Sequence, residues 1–140
     1  MTAGDGRGLL DTSTVIALPL LRSERGLPEE PLISTITLAE LSVGPLVAST
    51  DDERAARQSV LQQAESDFEP LPFDAPAARA FGRVASSLRS AGRKPQARAY
   101  DALIAAVAIA NDLPLHTCNP ADFVGITGLD VVPVPVPESR

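Results

Sequence analysis

Four acidic residues lie far apart in the chain, each within or beside an apolar segment: Asp11, Glu40, Asp101 and Asp122. An ionised carboxylate in such a segment is costly to bury unless it is paired, protonated or bound to a cation. Most of the four have no basic residue beside them in the sequence. Hard divalent cations such as Mg²⁺ prefer carboxylate oxygens, together with water and substrate phosphate. The four acids therefore indicate a shared divalent-metal site.

Each acid also has an ordinary structural explanation. Asp11 could cap the helix that follows it, and Glu40 could complete a capping box with Thr37. Asp101 could form an exposed ion pair with Arg98, one helical turn earlier, and the fourth acid could be a simple turn residue. The sequence alone leaves these alternatives open for each acid taken singly.

The elements that would position the acids alternate between strands and helices. Strands are predicted over residues 8–11, 31–36, 68–73, 115–118 and 129–134, and helices over about 13–21, 37–46, 51–66, 74–92 and 98–111. Pro70 and Pro72 would confine the third strand to a sheet edge. This alternation predicts an α/β fold with a mostly parallel sheet of about five strands, in one domain over residues 1–140.

Such a sheet would bring the acids together, because ligands of open α/β sheets bind beyond the carboxyl ends of the strands. Asp11 ends the first predicted strand, Glu40 follows the second, and Asp122 lies in the loop after the fourth. Asp101 would lie in the first turn of a buried helix, where the helix dipole favours an anion. All four are predicted to meet at one edge of the sheet.

Polar neighbours of the acids could support such a site. Thr12 and Ser13 could hold a metal-bound water or a phosphate, or could simply begin the helix. Asn119 could hydrogen-bond a metal-bound water, and either Asn119 or Asp122 could supply the fourth ligand. His116, the only histidine, is predicted to have a structural role rather than to act as a general base.

Composition sets broad limits on function. The chain has 140 residues, one cysteine and no apolar run of the ~18 residues that a membrane span requires. Its first residues lack the order of a signal peptide, so we expect a cytoplasmic protein without a membrane association. Aromatic residues make up only 4% of the chain, which argues against base-stacking platforms.

Basic residues are concentrated in one stretch of an otherwise acidic chain. The net charge is −6, yet half of the twelve lysines and arginines lie between positions 79 and 98, where no acid occurs. This stretch could be a solvated helix face or a face that contacts phosphates. The candidates for RNA contact are Arg89, Arg93, Lys94 and Arg98.

Four segments together resemble the PIN domain, and specifically the VapC-type toxins of bacterial type II toxin–antitoxin pairs. They are Leu-Asp-Thr-Ser at 10–13, Thr-Leu-Ala-Glu-Leu-Ser-Val-Gly at 37–44, Tyr-Asp-Ala-Leu-Ile-Ala-Ala at 100–106 and Thr-Cys-Asn-Pro-Ala-Asp-Phe at 117–123. The resemblance departs from the family pattern at Cys118, where relatives often carry a basic residue, and at Asn119, which is often Asp.

The resemblance implies a three-layer α/β/α fold and a Mg²⁺- or Mn²⁺-dependent endoribonuclease acting on tRNA or another structured RNA. It implies that Asp11, Glu40, Asp101 and Asp122 form the catalytic metal site. It also implies a homodimer, inhibited by a VapB-type antitoxin whose C-terminal segment covers the active site.

Two other classes of protein stay open. One is a catalytically silent PIN-like binding module; the other is a receiver domain, whose usual site lysine could only be Lys94 here.

Overall fold

A computed structural model describes residues 6–21, 25–94 and 98–137 of the chain. In these ranges the strands are β1 (Arg7–Leu10), β2 (Glu30–Leu32), β3 (Leu115–Thr117) and β4 (Val131–Pro133). The α-helices are α1 (Thr12–Ala17), α2 (Thr35–Val43), α3 (Asp51–Asp67), α4 (Ala75–Ser90) and α5 (Ala99–Ala110). The strand order is β2-β1-β3-β4, and every pairing is parallel.

Helices cover both faces of the sheet. Because successive side chains of a strand point to opposite faces, Leu9 and Leu10 of β1 enter two different cores. Leu9 packs with the buried residues of α4 and α5, whereas Leu10 packs with Val15 of α1, Leu41 of α2 and Ala64 of α3. The fold is therefore the three-layer α/β/α arrangement expected from the sequence.

The strand predicted over residues 68–73 is the main difference in the sheet. In the described residues this segment makes only an isolated bridge between Ser34 and Leu71. Leu71 donates to the carbonyl of Ile33 and accepts from the amide of Thr35, both at 2.9 Å. Pro70 and Pro72 lack the N–H groups that would extend this ladder, so the described sheet has four strands instead of about five.

The start of α2 also differs from the prediction. The helix begins at Thr35, and its N-cap is Ser34, whose hydroxyl accepts from the amide of Thr37 at 3.2 Å. Thr37 is thus an interior residue, so the predicted capping box of Thr37 and Glu40 is wrong. The preceding strand is correspondingly shorter and ends at Leu32.

The other long helices lie close to their predicted bounds. Asp74 caps α4 by accepting from the amide of Ala77 at 3.2 Å, and α4 ends shortly before Gly92, whose φ is +78°. α5 is buried along most of its length. α1 is shorter than predicted because the chain continues as a 3₁₀ helix at Leu18–Leu20, around Pro19.

Some predictions fall outside the described residues. The features predicted for residues 1–5, and the part of the Arg-rich stretch at 95–97, are among them. Within the described ranges, no helix is long and apolar enough to cross a membrane.

Candidate metal site

The centre of the sheet forms the crevice in which the site lies. β1 and β3 are neighbours, and the chain continues from β1 to β2 on one side while β3 and β4 lie on the other. Ligands of open α/β sheets bind beyond the strand ends at such a change of order. Asp11 directly follows β1, and Thr117 is the last residue of β3.

Asp11 is a buried carboxylate held by neutral donors. Its Oδ1 accepts from the amide and the hydroxyl of Thr14, at 3.1 and 2.6 Å. Its Oδ2 accepts from the hydroxyl of Thr117 at 2.6 Å, and the Ser13 hydroxyl lies 3.1 Å from both oxygens. The residue is only 3% exposed. Asp11 therefore caps α1, which is one of the explanations that the sequence allowed, and it is also hydrogen-bonded to the end of β3.

Glu40 lies on α2 and is linked to the start of α1. The hydroxyl of Thr12 donates to its carboxylate and also lies 3.0 Å from the Thr37 hydroxyl oxygen. Burial is the main cause that raises the pKa of Glu40, the Thr12 hydrogen bond lowers it, and the charge of Asp11 raises it. Since the capping box is absent, the position of Glu40 has no capping explanation.

Asp101 shows that the four acids share one electrostatic environment. The pKa of Asp101 is raised to about 6, with burial as the largest cause. The charges of Asp122, Asp11 and Glu40 contribute to this rise, in that order, while Arg98 opposes it. The carboxylates that lie far apart in the sequence are therefore close enough in the fold to repel one another.

Arg98 compensates part of this negative charge. Its Nη1 donates to Oδ1 of Asp122 at 2.7 Å and lies 3.9 Å from Oδ2 of Asp101. The ion pair with Asp101 that the sequence allowed is thus present, but the contact with Asp122 is the shorter one. Asp122 itself lies in a 3₁₀ helix, Pro120–Phe123, that follows β3.

The donor set fits a hard divalent cation. It consists of carboxylate and hydroxyl oxygens, which Mg²⁺ and Mn²⁺ prefer. In the ranges described, no three acidic, histidine or cysteine side chains already stand close enough to hold a metal ion. Mg²⁺ does not require such a cage, because it commonly binds through one or two carboxylates and keeps several waters.

Comparison with known proteins assigns a family to this arrangement. The sequence pattern of the PIN domain matches residues 9–124. Ribonuclease VapC5 of Mycobacterium tuberculosis is 39% identical over 130 residues, covering 91% of this chain and 93% of the relative. This chain belongs to the PIN domain family, among the VapC ribonucleases of toxin–antitoxin systems.

Two further relatives agree with this PIN domain assignment. Ribonuclease VapC4 of the same organism is 33% identical over 91% of this chain and 97% of the relative. Among solved structures, VapBC-5 of M. tuberculosis, described as a member of the VapBC family of toxin–antitoxin systems, aligns with a TM-score of 0.79. That alignment has 38% identity and covers 92% of this chain and 99% of that one.

Two hydroxyl residues of this PIN domain were missed in the sequence. Thr14 and Thr117 are fully buried, and both donate to Asp11 at 2.6 Å. Thr14 also accepts from the amide of Cys118 at 3.1 Å, which ties α1 to the end of β3. Thr117 could be identified only from the strand register. Because Leu10 pairs with His116, the next residues, Asp11 and Thr117, face each other.

Asn119 takes part in the site through its backbone. Its amide donates to the Thr117 hydroxyl oxygen at 2.9 Å, and its carbonyl accepts from the amide of Asp122 at 3.0 Å. The residue is exposed. The predicted role of its side-chain amide beside a metal-bound water stays a prediction.

The structure divides the basic candidates of this PIN domain. Arg93, Lys94 and Arg98 line a narrow cleft together with Asp101 and Asp122. Arg89 lies in the last turn of α4 and is exposed. Three of the four predicted RNA-contact residues thus stand beside the carboxylates.

Proposed function

We propose that this PIN domain is a metal-dependent endoribonuclease and the toxin of a toxin–antitoxin pair. The observation that carries the proposal is the gathering of the acids: Arg98 contacts both Asp101 and Asp122, and burial and three other carboxylates raise the pKa of Asp101. Such a cluster of mutually repelling acids at a strand-order change suits a divalent cation, as argued above. The names of the relatives, ribonucleases, point to RNA as the substrate.

The metal would be held by Asp11, Glu40, Asp101 and Asp122, with Mg²⁺ as the first candidate and Mn²⁺ as the second. When bound, such an ion lowers the pKa of a coordinated water and neutralises charge on a phosphate. We assign the fourth carboxylate to Asp122 rather than to Asn119. The reason is that the charge of Asp122 already acts on Asp101, whereas Asn119 is neutral and exposed.

The chain's own residues would orient the reacting groups. Thr14 and Thr117 fix the Asp11 carboxylate, and Thr12 fixes that of Glu40. Arg98, when released from Asp122, would stand next to the phosphate and contact it as a cation. In-line attack by water would leave 5′-phosphate and 3′-hydroxyl ends and would not use the ribose 2′-hydroxyl.

The substrate would be a structured RNA such as tRNA. The protein is acidic overall, so RNA is repelled until metal binds and needs local positive charge to approach. Arg93 and Lys94 provide that charge next to the acid cluster. This activity would place the protein in the cytoplasm, where such RNAs occur.

A VapB-type antitoxin would inhibit the enzyme by covering the site. A cleft of about 460 Å³ runs beside Glu40 between α1, α2 and α3 and is lined by Ile16, Leu41 and Val60. The apolar side chain of Ile16 in this cleft is exposed. The related VapBC-5 structure belongs to a toxin–antitoxin family, which supports an antitoxin as the partner. Its C-terminal segment would be the occupant of this cleft. A homodimer of the toxin is part of the same proposal.

Metal dependence and the role of Asp101 are tested together. Cleavage of bulk tRNA by the purified chain should stop in EDTA and return with Mg²⁺ or Mn²⁺. Asp101→Asn should reduce the cleavage rate by more than roughly 100-fold, because it removes a metal ligand. Loss of a residue that only orients a ligand typically costs up to that factor. Asp130→Asn, which removes an exposed carboxylate elsewhere, should cleave at the parent rate.

Thermal melting in EDTA controls for folding. Asp101→Asn should melt at or above the parent temperature, because the substitution removes a carboxylate that three others repel. Cleavage that survives EDTA, or a well-folded Asp101→Asn variant with the parent rate, would contradict the proposed function. A parent chain that cleaves no RNA with either metal would favour the catalytically silent binding module instead.

A further inference from the structure

The aromatic side chains are distributed unevenly over the molecule. The chain has four phenylalanines, one tyrosine and no tryptophan. Phe123 is buried, and the other three phenylalanines pack against the two cores. Tyr100, in contrast, is 47% exposed. The fold therefore uses every aromatic ring except this one for packing.

Tyr100 is a chain neighbour of one of the four acids. It lies in the first turn of α5, directly before Asp101 and two residues after Arg98. Among the residues that the structure describes, its hydroxyl has no hydrogen-bond partner. The ring is thus neither packed into a core nor fixed by a polar contact, although its position is defined by the helix.

A nucleobase is the ligand that fits this position. A phosphate at the acid cluster carries one nucleoside on each side, and each base is joined to it through a single ribose. Aromatic side chains stack on bases of any sequence, because every base has a π face. Bases within a duplex are covered on both faces by their neighbours, so only a base that is splayed out can stack on a protein ring.

We infer that Tyr100 forms a subsite for one unpaired nucleobase beside the scissile phosphate. The inference rests on the proposed ribonuclease function and adds to it one residue that would bind the substrate. The low aromatic content of the chain limits how many bases can stack, but one ring is sufficient for one base.

The fluorescence of Tyr100 can report directly whether a base stacks on its ring. Because the chain has one tyrosine and no tryptophan, its intrinsic fluorescence comes from ring 100. We expect a short oligouridylate to quench this fluorescence in the Asp101→Asn variant with Mg²⁺. An abasic ribose-phosphate chain of equal length and charge should bind without quenching.

Kinetics of the otherwise unchanged enzyme test the same ring. Tyr100→Ala should raise KM for a single-stranded RNA by roughly 5- to 150-fold, the range expected for one lost base stack, with a smaller effect on kcat. Tyr100→Phe keeps the ring and should stay near the parent. Tyr100→Leu keeps exposed apolar area without a π system and should resemble Tyr100→Ala. Leu20→Ala, another exposed apolar truncation, is the matched control.

The outcomes separate this inference from the proposed function. If the parent cleaves no RNA with either metal, the ribonuclease proposal fails and the subsite fails with it. If the parent cleaves RNA, and Tyr100→Ala and Tyr100→Leu keep its KM, only the base subsite is overturned. A Tyr100→Ala variant with unchanged KM but a changed mass on size-exclusion chromatography would assign the ring to a protein contact instead.

Discussion

Asp11 combines a structural role and a proposed chemical role in one carboxylate. Its Oδ1 caps α1 through Thr14, while its Oδ2 is oriented by Thr117 from β3. The sequence presents helix capping and metal binding as alternative roles of Asp11. In the structure the two roles fall to different oxygens of the same carboxylate. The same group can therefore end a strand, begin a helix and present an anion to the crevice.

The hydroxyl of Thr117 is the donor we expect to matter most for Asp11. Thr117→Val keeps the volume of the side chain but removes the hydrogen bond to Asp11 and the acceptor for the amide of Asn119. Loss of such an orienting contact typically weakens metal affinity by roughly 10- to 100-fold. We therefore expect a Mn²⁺ or Mg²⁺ affinity lower by that factor, measured by calorimetry.

Ser13→Ala is the matched control for that measurement. The Ser13 hydroxyl lies 3.1 Å from both Asp11 oxygens, a longer contact than that of Thr117, and a metal-bound water can take its place. We expect less than about a threefold change in affinity, since both Asp11 oxygens keep their shorter hydrogen bonds from Thr14 and Thr117. Equal effects of the two substitutions would show that Thr117 does not orient the ligand.

The acids, and the hydroxyls of Thr12 and Ser13, could be found from the sequence, whereas the hydroxyls of Thr14 and Thr117 could not. Carboxylates in apolar segments are visible because burying a charge is costly. Thr14 and Thr117 are ordinary residues in a helix and a strand, and their common target appears only when β1 and β3 are paired in register. Nothing local in the sequence specifies which strands are neighbours, so the order β2-β1-β3-β4 was also beyond prediction.

At the level of elements, α2 shows how a correct helix can be predicted with the wrong start. Ser34 and Thr37 are both good N-cap residues, and Glu40 follows Thr37 at capping-box spacing. The bridge between Ser34 and Leu71 fixes the chain before Thr35, so the helix begins there. A long-range contact therefore decides between two local signals of similar strength.

This difference leads to a stability prediction for α2. Ser34→Ala removes the observed cap and should lower the free energy of unfolding by about 0.5–2 kcal/mol. Glu40→Ala should not lower it in EDTA, because Glu40 caps nothing and its half-buried charge is unfavourable, as its raised pKa indicates. Urea unfolding of both variants at neutral pH measures the contrast. A clear loss of stability in Glu40→Ala would contradict this and show that the hydrogen bond from Thr12 outweighs the cost of the half-buried charge.

At the scale of the whole molecule, the fold places positive and negative side chains next to each other in a way that the net charge does not reveal. The net charge of −6 opposes RNA binding, and the acid cluster adds to that opposition. Arg93, Lys94 and Arg98 converge on the same cleft as Asp101 and Asp122. Opposite charges are therefore adjacent at the proposed site, as expected for a site that must hold both a metal and a phosphate chain.

This arrangement predicts how RNA binding depends on salt. For single strands, the slope of log affinity against log salt changes by roughly 0.7 for each phosphate contact. Replacing Arg89, Arg93 and Lys94 together with Ala should weaken binding and flatten this slope by up to about 2 units, if all three contact phosphates. Binding would be measured in the Asp101→Asn background at constant Mg²⁺, so that the RNA stays intact.

The control for this experiment is an arginine that already has a partner elsewhere. Arg54 pairs with Asp51 at 2.8 Å on the exposed surface of α3, so Arg54→Ala changes the net charge without removing a proposed phosphate contact. Its slope should equal that of the parent. Arg89→Ala alone should fall nearer to this control than Arg93→Ala does, because Arg89 does not line the cleft. If the triple variant also keeps the parent slope, the Arg-rich stretch is a solvated surface, and the RNA must be held by the metal, Arg98 and Tyr100.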